Sequence, residues 1–157
     1  MLIQVLAALG LAALLWMLFR FAMGLRWAKV SRERARSEAE SLGRRVLAEI
    51  PLSGDELVFF EEDRAAFHWA GRTAAKVDLE GARLLLNGNV VGSAARAGAS
   101  LPPPPAAEEY EGRERWDVLL YLRGGETARV PCGTLREGVS REIAARVFEA
   151  ARREVQP

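Results

Sequence analysis

Residues 83–91, Arg83-Leu84-Leu85-Leu86-Asn87-Gly88-Asn89-Val90-Val91, place two apolar runs on either side of Asn87-Gly88. Asn-Gly tolerates the positive φ that a type I′ turn requires at both central positions, and that turn matches the twist of paired strands. A β-hairpin is therefore predicted here, and the chain on both sides reads in the same sense. Upstream, Leu57-Val58-Phe59-Phe60-Glu61 is β-branched and aromatic, Glu62-Asp63-Arg64 is a break, and Ala65 to Ala70 is a return strand ended by Gly71. Downstream, Trp116 to Arg123 alternates. Trp116, Val118, Leu120 and Leu122 point one way, and Asp117, Leu119, Tyr121 and Arg123 the other. Gly124-Gly125 makes a turn, and Glu126 to Cys132 returns. The last element is predicted to be a helix capped by Ser140, with Val139, Ile143, Val147, Phe148 and Ala151 as its apolar stripe. Arg141, Glu142, Glu149, Arg152 and Arg153 occupy its opposite face.

Between the hairpins, Ser93 to Glu109 reads as a loop, proline-rich over 98–109, where Leu101 precedes Pro102-Pro103-Pro104-Pro105. Four prolines favour polyproline II, which a partner's aromatic groove can take. A single run of this kind is first a compositional signal, and an exposed loop between strands is the simpler reading.

The N-terminus has a different pattern. Leu2 to Phe19 contains only Gln4 as a polar side chain, and apolar residues resume after Arg20 up to Leu25. Eighteen helical residues span about 27 Å, close to the roughly 30 Å of a bilayer's hydrocarbon core. A cleaved signal peptide fits less well, since no basic residue precedes the run and no small-x-small site follows it. A single-pass transmembrane anchor over 1–27 is predicted, with Leu2, Leu6, Leu9 and Leu14 in the bilayer and Trp16, Phe19, Arg20, Phe21 and Trp27 at its interface. Arg26, Lys29, Arg32, Arg34 and Arg36 follow within reach of lipid headgroups. This asymmetry predicts an inner-membrane location with the N-terminus outside and the C-terminal domain in the cytoplasm. Ala28 to Ile50 is predicted to continue as a juxtamembrane helix, a connector over 28–52, with Leu42, Val46 and Ile50 as an i, i+4 stripe and Pro51 as its stop. The whole is thus an α+β chain: a transmembrane helix, a juxtamembrane helix, then a small antiparallel sheet domain over 53–157 with a C-terminal helix.

Charge sets limits on partners. Of 22 basic residues, Arg20, Arg26 and Lys29 flank the apolar run, which leaves 19 against 21 acidic residues. No global basic field favours nucleic acid. Only two of the basic residues, Lys29 and Lys76, are lysine, a bias that suggests a GC-rich bacterial genome. Cys132 is the one cysteine, so no intramolecular disulfide forms.

The order of elements, hairpins followed by Trp116–Arg123, Gly124-Gly125, Glu126–Cys132 and a terminal helix, resembles the bacterial pleckstrin-homology-like domains over roughly residues 55–155. The resemblance implies a binding or scaffolding role. It carries no functional residue over.

Catalytic and metal signals are sparse. His68 is the single histidine and cannot build a multi-histidine metal site, and Cys132 has no second thiol to complete a zinc set. A Cys132–His68 nucleophile pair is the one conceivable catalytic set, because such partners need only meet in the fold. Glu61-Glu62-Asp63 lacks the alternate-ligand spacing of a calcium loop and reads as a solvated turn. No phosphate-cradling glycine loop and no nucleophile-elbow motif occurs. No cofactor is expected. The leading expectation is a membrane-anchored, non-catalytic interaction domain with a protein partner, a peptide seated on an exposed sheet edge or in the groove beside the last helix. The alternatives are an accessory subunit or enzyme using Cys132 and His68, and a module that senses anionic lipid through Arg32, Arg34, Arg36, Arg44 and Arg45.

Overall fold

The computed structural model describes residues 2–51, 57–105, 114–133 and 137–156. The chain divides into two compact units, residues 1–42 and 43–157.

The first unit is one helix, α1 (Leu2–Ser41). At ~1.5 Å per residue it is about 60 Å long. It is not the transmembrane helix that the sequence suggests: among the described residues, no helix is long and apolar enough to cross a membrane. Most side chains in α1 are described from Ala13 on, and the stretch Ala13–Val30 already holds Arg20, Arg26 and Lys29. Beyond it come Arg32, Glu33, Arg34 and Arg36, with Lys29 paired to Glu33 one turn on at 3.8 Å. The single-pass anchor and the inner-membrane location with its orientation lose their basis with that helix.

The predicted juxtamembrane helix to Ile50 is also corrected. α1 closes at Ser41, whose hydroxyl donates to the Glu38 carbonyl at 2.7 Å. Gly43 then turns the chain at φ 70°, and Arg45–Pro51 is strand β1. The i, i+4 spacing of Val46 and Ile50 fits both periods, because four residues is one helical turn and also two strand repeats. With Ala48 buried between them, the strand period wins.

The second unit has two antiparallel four-stranded sheets and a helix, where a single small sheet was expected. In the first sheet β1 pairs with β2 (Leu57–Glu62), β2 with β3 (Ala66–Trp69) and β3 with β4 (Arg72–Ala75). A 3-10 turn, Lys76–Asp78, leads to the second sheet of β5 (Leu79–Leu86), β6 (Asn89–Ala95), β7 (Trp116–Leu122) and β8 (Thr127–Pro131). Its order is β6-β5-β7-β8, so the chain crosses from one side of β5 to the other between β6 and β7. The Asn87-Gly88 hairpin is as read, with φ of 50° and 79°. The predicted loop begins later than Ser93, since Ser93, Ala94 and Ala95 belong to β6.

Helix α2 (Glu137–Val155) covers the second sheet and reaches β1. It starts a turn before the expected cap, and Ser140 is a fully buried residue inside it. Val139, expected in the apolar stripe, is half exposed and stands outside it, while Ala144, Val147, Phe148, Ala151 and Val155 are buried. One core joins both sheets to the helix through Ile50, Phe60, Phe67, Leu79, Val118, Leu120, Val130 and Val147. Lys76 ties its edge together: it bonds Glu62 at 3.1 Å and Glu154 of α2 at 3.0 Å, over the Phe67 ring at 4.9 Å.

The crossover covers the other face of the second sheet. Leu101 packs on Leu85, Leu119 and Tyr121. Arg83 donates to the carbonyl of Pro102 at 2.6 Å, to that of Leu101 at 3.3 Å and to the Tyr121 hydroxyl at 3.2 Å. The start of the proline run is thus pinned against the sheet. Residues 106–113 lie outside the described residues. Strand β7 is buried at all seven positions, so its alternation separates two covered faces, not core from solvent.

Candidate functional site

A hollow of about 660 Å³ lies where α2 leaves the Asn87-Gly88 end of the second sheet uncovered. Leu84 and Leu86 of β5, Val91 of β6 and Trp116 of β7 line it from the sheet, and Arg141 and Ala145 from α2. The local sequence explains the opening. Leu84 pairs with Gly92 and Leu85 with Val90, so Val91 is the extra residue of a β-bulge. A bulge bends its strand and re-aims a side chain. Val90 and Val91 are 43% and 52% exposed on this edge strand. The tip of the hairpin is fixed, since the Asn87 side chain accepts from the Arg115 amide at 2.8 Å and the Asn87 amide donates to the Arg115 carbonyl at 2.9 Å. Trp116 donates its indole N–H to Glu114 at 3.4 Å. The floor is therefore apolar and the rim carries one acid, Glu114, and one base, Arg141. Such a concavity can take an apolar side chain and orient the chain that bears it.

A second, shallower hollow of about 350 Å³ lies on the first sheet, among Arg44, Val58, Phe59, Glu61, His68, Arg72 and Thr73. His68 and Thr73 face each other across the β3–β4 hairpin. Asp63 Oδ2 meets His68 Nε2 at 2.8 Å, and His68 Nδ1 meets Thr73 Oγ1 at 3.1 Å. Asp63 Oδ1 accepts from the amides of Ala65 and Ala66, each at 2.7 Å. The His68 hydrogen bond, followed by these two amides, holds the Asp63 carboxyl down at about 2. The carboxylate is thus ionised and held in place by the imidazole and the two amides together.

The structure does not bring Cys132 to His68: both ring nitrogens of His68 are engaged by Asp63 and Thr73. Cys132 is fully buried and contacts the Val130 carbonyl at 3.5 Å. Burial first, and the nearby Asp117 carboxylate second, push its thiol well up, away from the reactive thiolate. The acidic triplet is not a solvated turn either. Glu61 pairs with Arg44 at 3.3 Å, Glu62 is buried between Arg45 and Lys76, and Asp63 holds His68. Burial pushes the Glu62 carboxyl up, but the bonds from Arg45 and Lys76 outweigh it and leave it below the ordinary value. Among the described residues no group of three or more His, Cys, Asp or Glu side chains is placed to hold a metal ion.

The residues read as an anchor and its flank belong to the first unit. Leu14, Trp16, Phe19, Arg20, Phe21, Arg26, Lys29, Arg32, Arg34 and Arg36 are exposed on α1. The side chains of Leu2, Leu6, Leu9 and Trp27 lie outside the described ones. Arg44 and Arg45, grouped with a lipid-facing set in the sequence, are engaged by Glu61 and Glu62 of β2. Sequence reasoning missed Thr73, Arg72 and Glu114. Reading Ala70-Gly71 as a two-residue turn would have set Thr73 opposite His68.

Comparison with family models, with curated proteins and with solved structures finds no match for this chain.

Proposed function

We propose that the unit 43–157 is a non-catalytic interaction domain that seats a segment of a partner protein in the hollow beside α2. The observation that carries this reading is the hollow of about 660 Å³ with an apolar floor, lined on its open side by exposed Val91. Contiguous apolar surface of this kind, rimmed by polar groups, marks interaction sites on proteins. The occupant is an extended peptide with an apolar side chain for the floor of Leu84, Leu86 and Trp116 and an acidic residue for Arg141. The bulge at Val91 blunts edge pairing, so the anchor side chain supplies affinity and the backbone contributes less. The paired antiparallel sheets with a closing helix support the resemblance to pleckstrin-homology-like domains, whose members bind and scaffold.

Selection of peptides from a random library against the full-length chain tests this. Enriched peptides should share an apolar residue near an acidic one, and Leu86→Asp should abolish their binding. Arg141→Glu should weaken it about tenfold and select peptides with a base in place of the acid. Absence of enrichment, or binding indifferent to both substitutions, contradicts the reading.

A further inference from the structure

The hollow on the first sheet has a chemistry of its own. Its donors are two guanidinium groups, Arg44 and Arg72, an imidazole and a hydroxyl. Among the described residues Arg72 has no ion-pair partner, and Arg44 meets Glu61 through a single contact at 3.3 Å. The oxygens of Asp63 are turned to Ala65, Ala66 and His68, so its charge is offset in full only when His68 is protonated. Val58 and Phe59, both half-buried, add an apolar wall.

We propose that this hollow binds a sulfate or phosphate ester carried on an apolar group, and that His68 gates it by setting which way the Thr73 hydroxyl points. The ionised Asp63 accepts from Nε2–H and so fixes the tautomer of neutral His68, with a bare Nδ1. Thr73 then donates its only hydrogen to Nδ1 and presents lone pairs to the hollow, which repel an oxyanion. When His68 is protonated, Nδ1–H donates to Thr73 Oγ1 and the hydroxyl hydrogen turns free to bond the ligand. The imidazolium adds its charge to those of Arg44 and Arg72 at the same moment. The groups that face His68 are Asp63, Thr73, its cross-strand neighbour Glu61, and the two arginines. The two guanidinium charges balance the Asp63 and Glu61 carboxylates, and protonation of His68 leaves the hollow with an excess positive charge of one.

The test uses the full-length chain and phenyl sulfate, which keeps a single charge throughout the imidazole range, so any pH dependence belongs to the protein. His68 is the only histidine, so its ring-proton NMR signal is unambiguous. Saturating phenyl sulfate should raise the His68 titration midpoint by about one unit. Affinity should correspondingly be about tenfold higher with His68 protonated than with it neutral, because the coupling is reciprocal. Inorganic sulfate should bind more weakly than phenyl sulfate if the Val58–Phe59 wall is used. Thr73→Val should at least halve the midpoint shift, and Arg72→Gln should weaken binding about tenfold. Both positions are exposed, so folding is preserved. A midpoint unmoved by phenyl sulfate, a shift of undiminished size in Thr73→Val, or an affinity unchanged in Arg72→Gln overturns the proposal.

Discussion

The two sheets of this protein are finished in different ways. The second is closed on both faces: α2 covers one, the pinned crossover at Leu101 and Pro102 covers the other, and β7 is buried at every position between them. The first is closed on one face by the shared core, and its other face carries half-buried Phe59 and the Asp63–His68–Thr73 chain in the open. Closure on both faces stabilises, because every side chain of the central strand leaves water. An open face leaves polar groups free to meet ligands. The second sheet keeps one gap in its closure, at Leu86, Val91 and Trp116, where the proposed peptide site lies.

The largest effect that can break this comparison is a cavity in β7. Leu120→Ala should cost about 2–5 kcal/mol in chemical unfolding, whereas Thr73→Val on the open sheet should cost less than about 1 kcal/mol. Equal costs would mean that closure is not what distinguishes the sheets. Next in size is Gly81→Ala. A Cβ there would stand 2.7 Å from the Ala94 carbonyl oxygen and 2.7 Å from the Leu101 side chain. The loss should be about 1–3 kcal/mol. Adding Leu101→Ala should recover little of it, since the carbonyl belongs to a paired strand.

A smaller effect sharpens the account of the open sheet. The Asp63 carboxyl is lowered from 3.8 to about 2, by His68 first and the Ala65 and Ala66 amides next. Its stabilising contribution is complete above pH 3.8 and is lost as pH falls toward 2. Asp63→Asn should flatten that part of the acid limb of stability, measured by unfolding at stepped pH. An unchanged limb would show that Asp63 is not the residue responsible. The smallest effect is a gain. Ala70 is held at φ 45° in the β3–β4 turn, and Ala70→Gly should raise stability by up to about 1 kcal/mol.

Much of the second sheet was legible in the sequence. Asn87-Gly88 has one favourable turn, Gly124-Gly125 another, and Trp116–Leu122 is a short apolar run broken only by Asp117. What alternation could not tell was that both sides of β7 are covered, because Leu119 and Tyr121 meet a crossover about twenty residues away in sequence. The first sheet was half legible. Arg72-Thr73-Ala74-Ala75 has no apolar period, so β4 went unread, and with it the partner of His68. The segment 45–51 was read as helix because its spacing of four satisfies both repeats. At the N-terminus the length of the apolar run and its aromatic and basic flank read as an anchor, yet among the described residues no helix is long and apolar enough to cross a membrane. A groove beside the last helix was expected, yet the bulge that opens it at Val91 is a matter of register, which no local pattern records.

The most direct test of the central claim is an amide chemical-shift map of the full-length chain with a selected peptide. The expected perturbations gather at Leu84, Leu86, Val91, Trp116 and Ala145, leaving His68 and Thr73 unmoved. Perturbations on the open face of the first sheet instead, or spread over both sheets without a focus, would contradict the assignment of the peptide site to the gap beside α2.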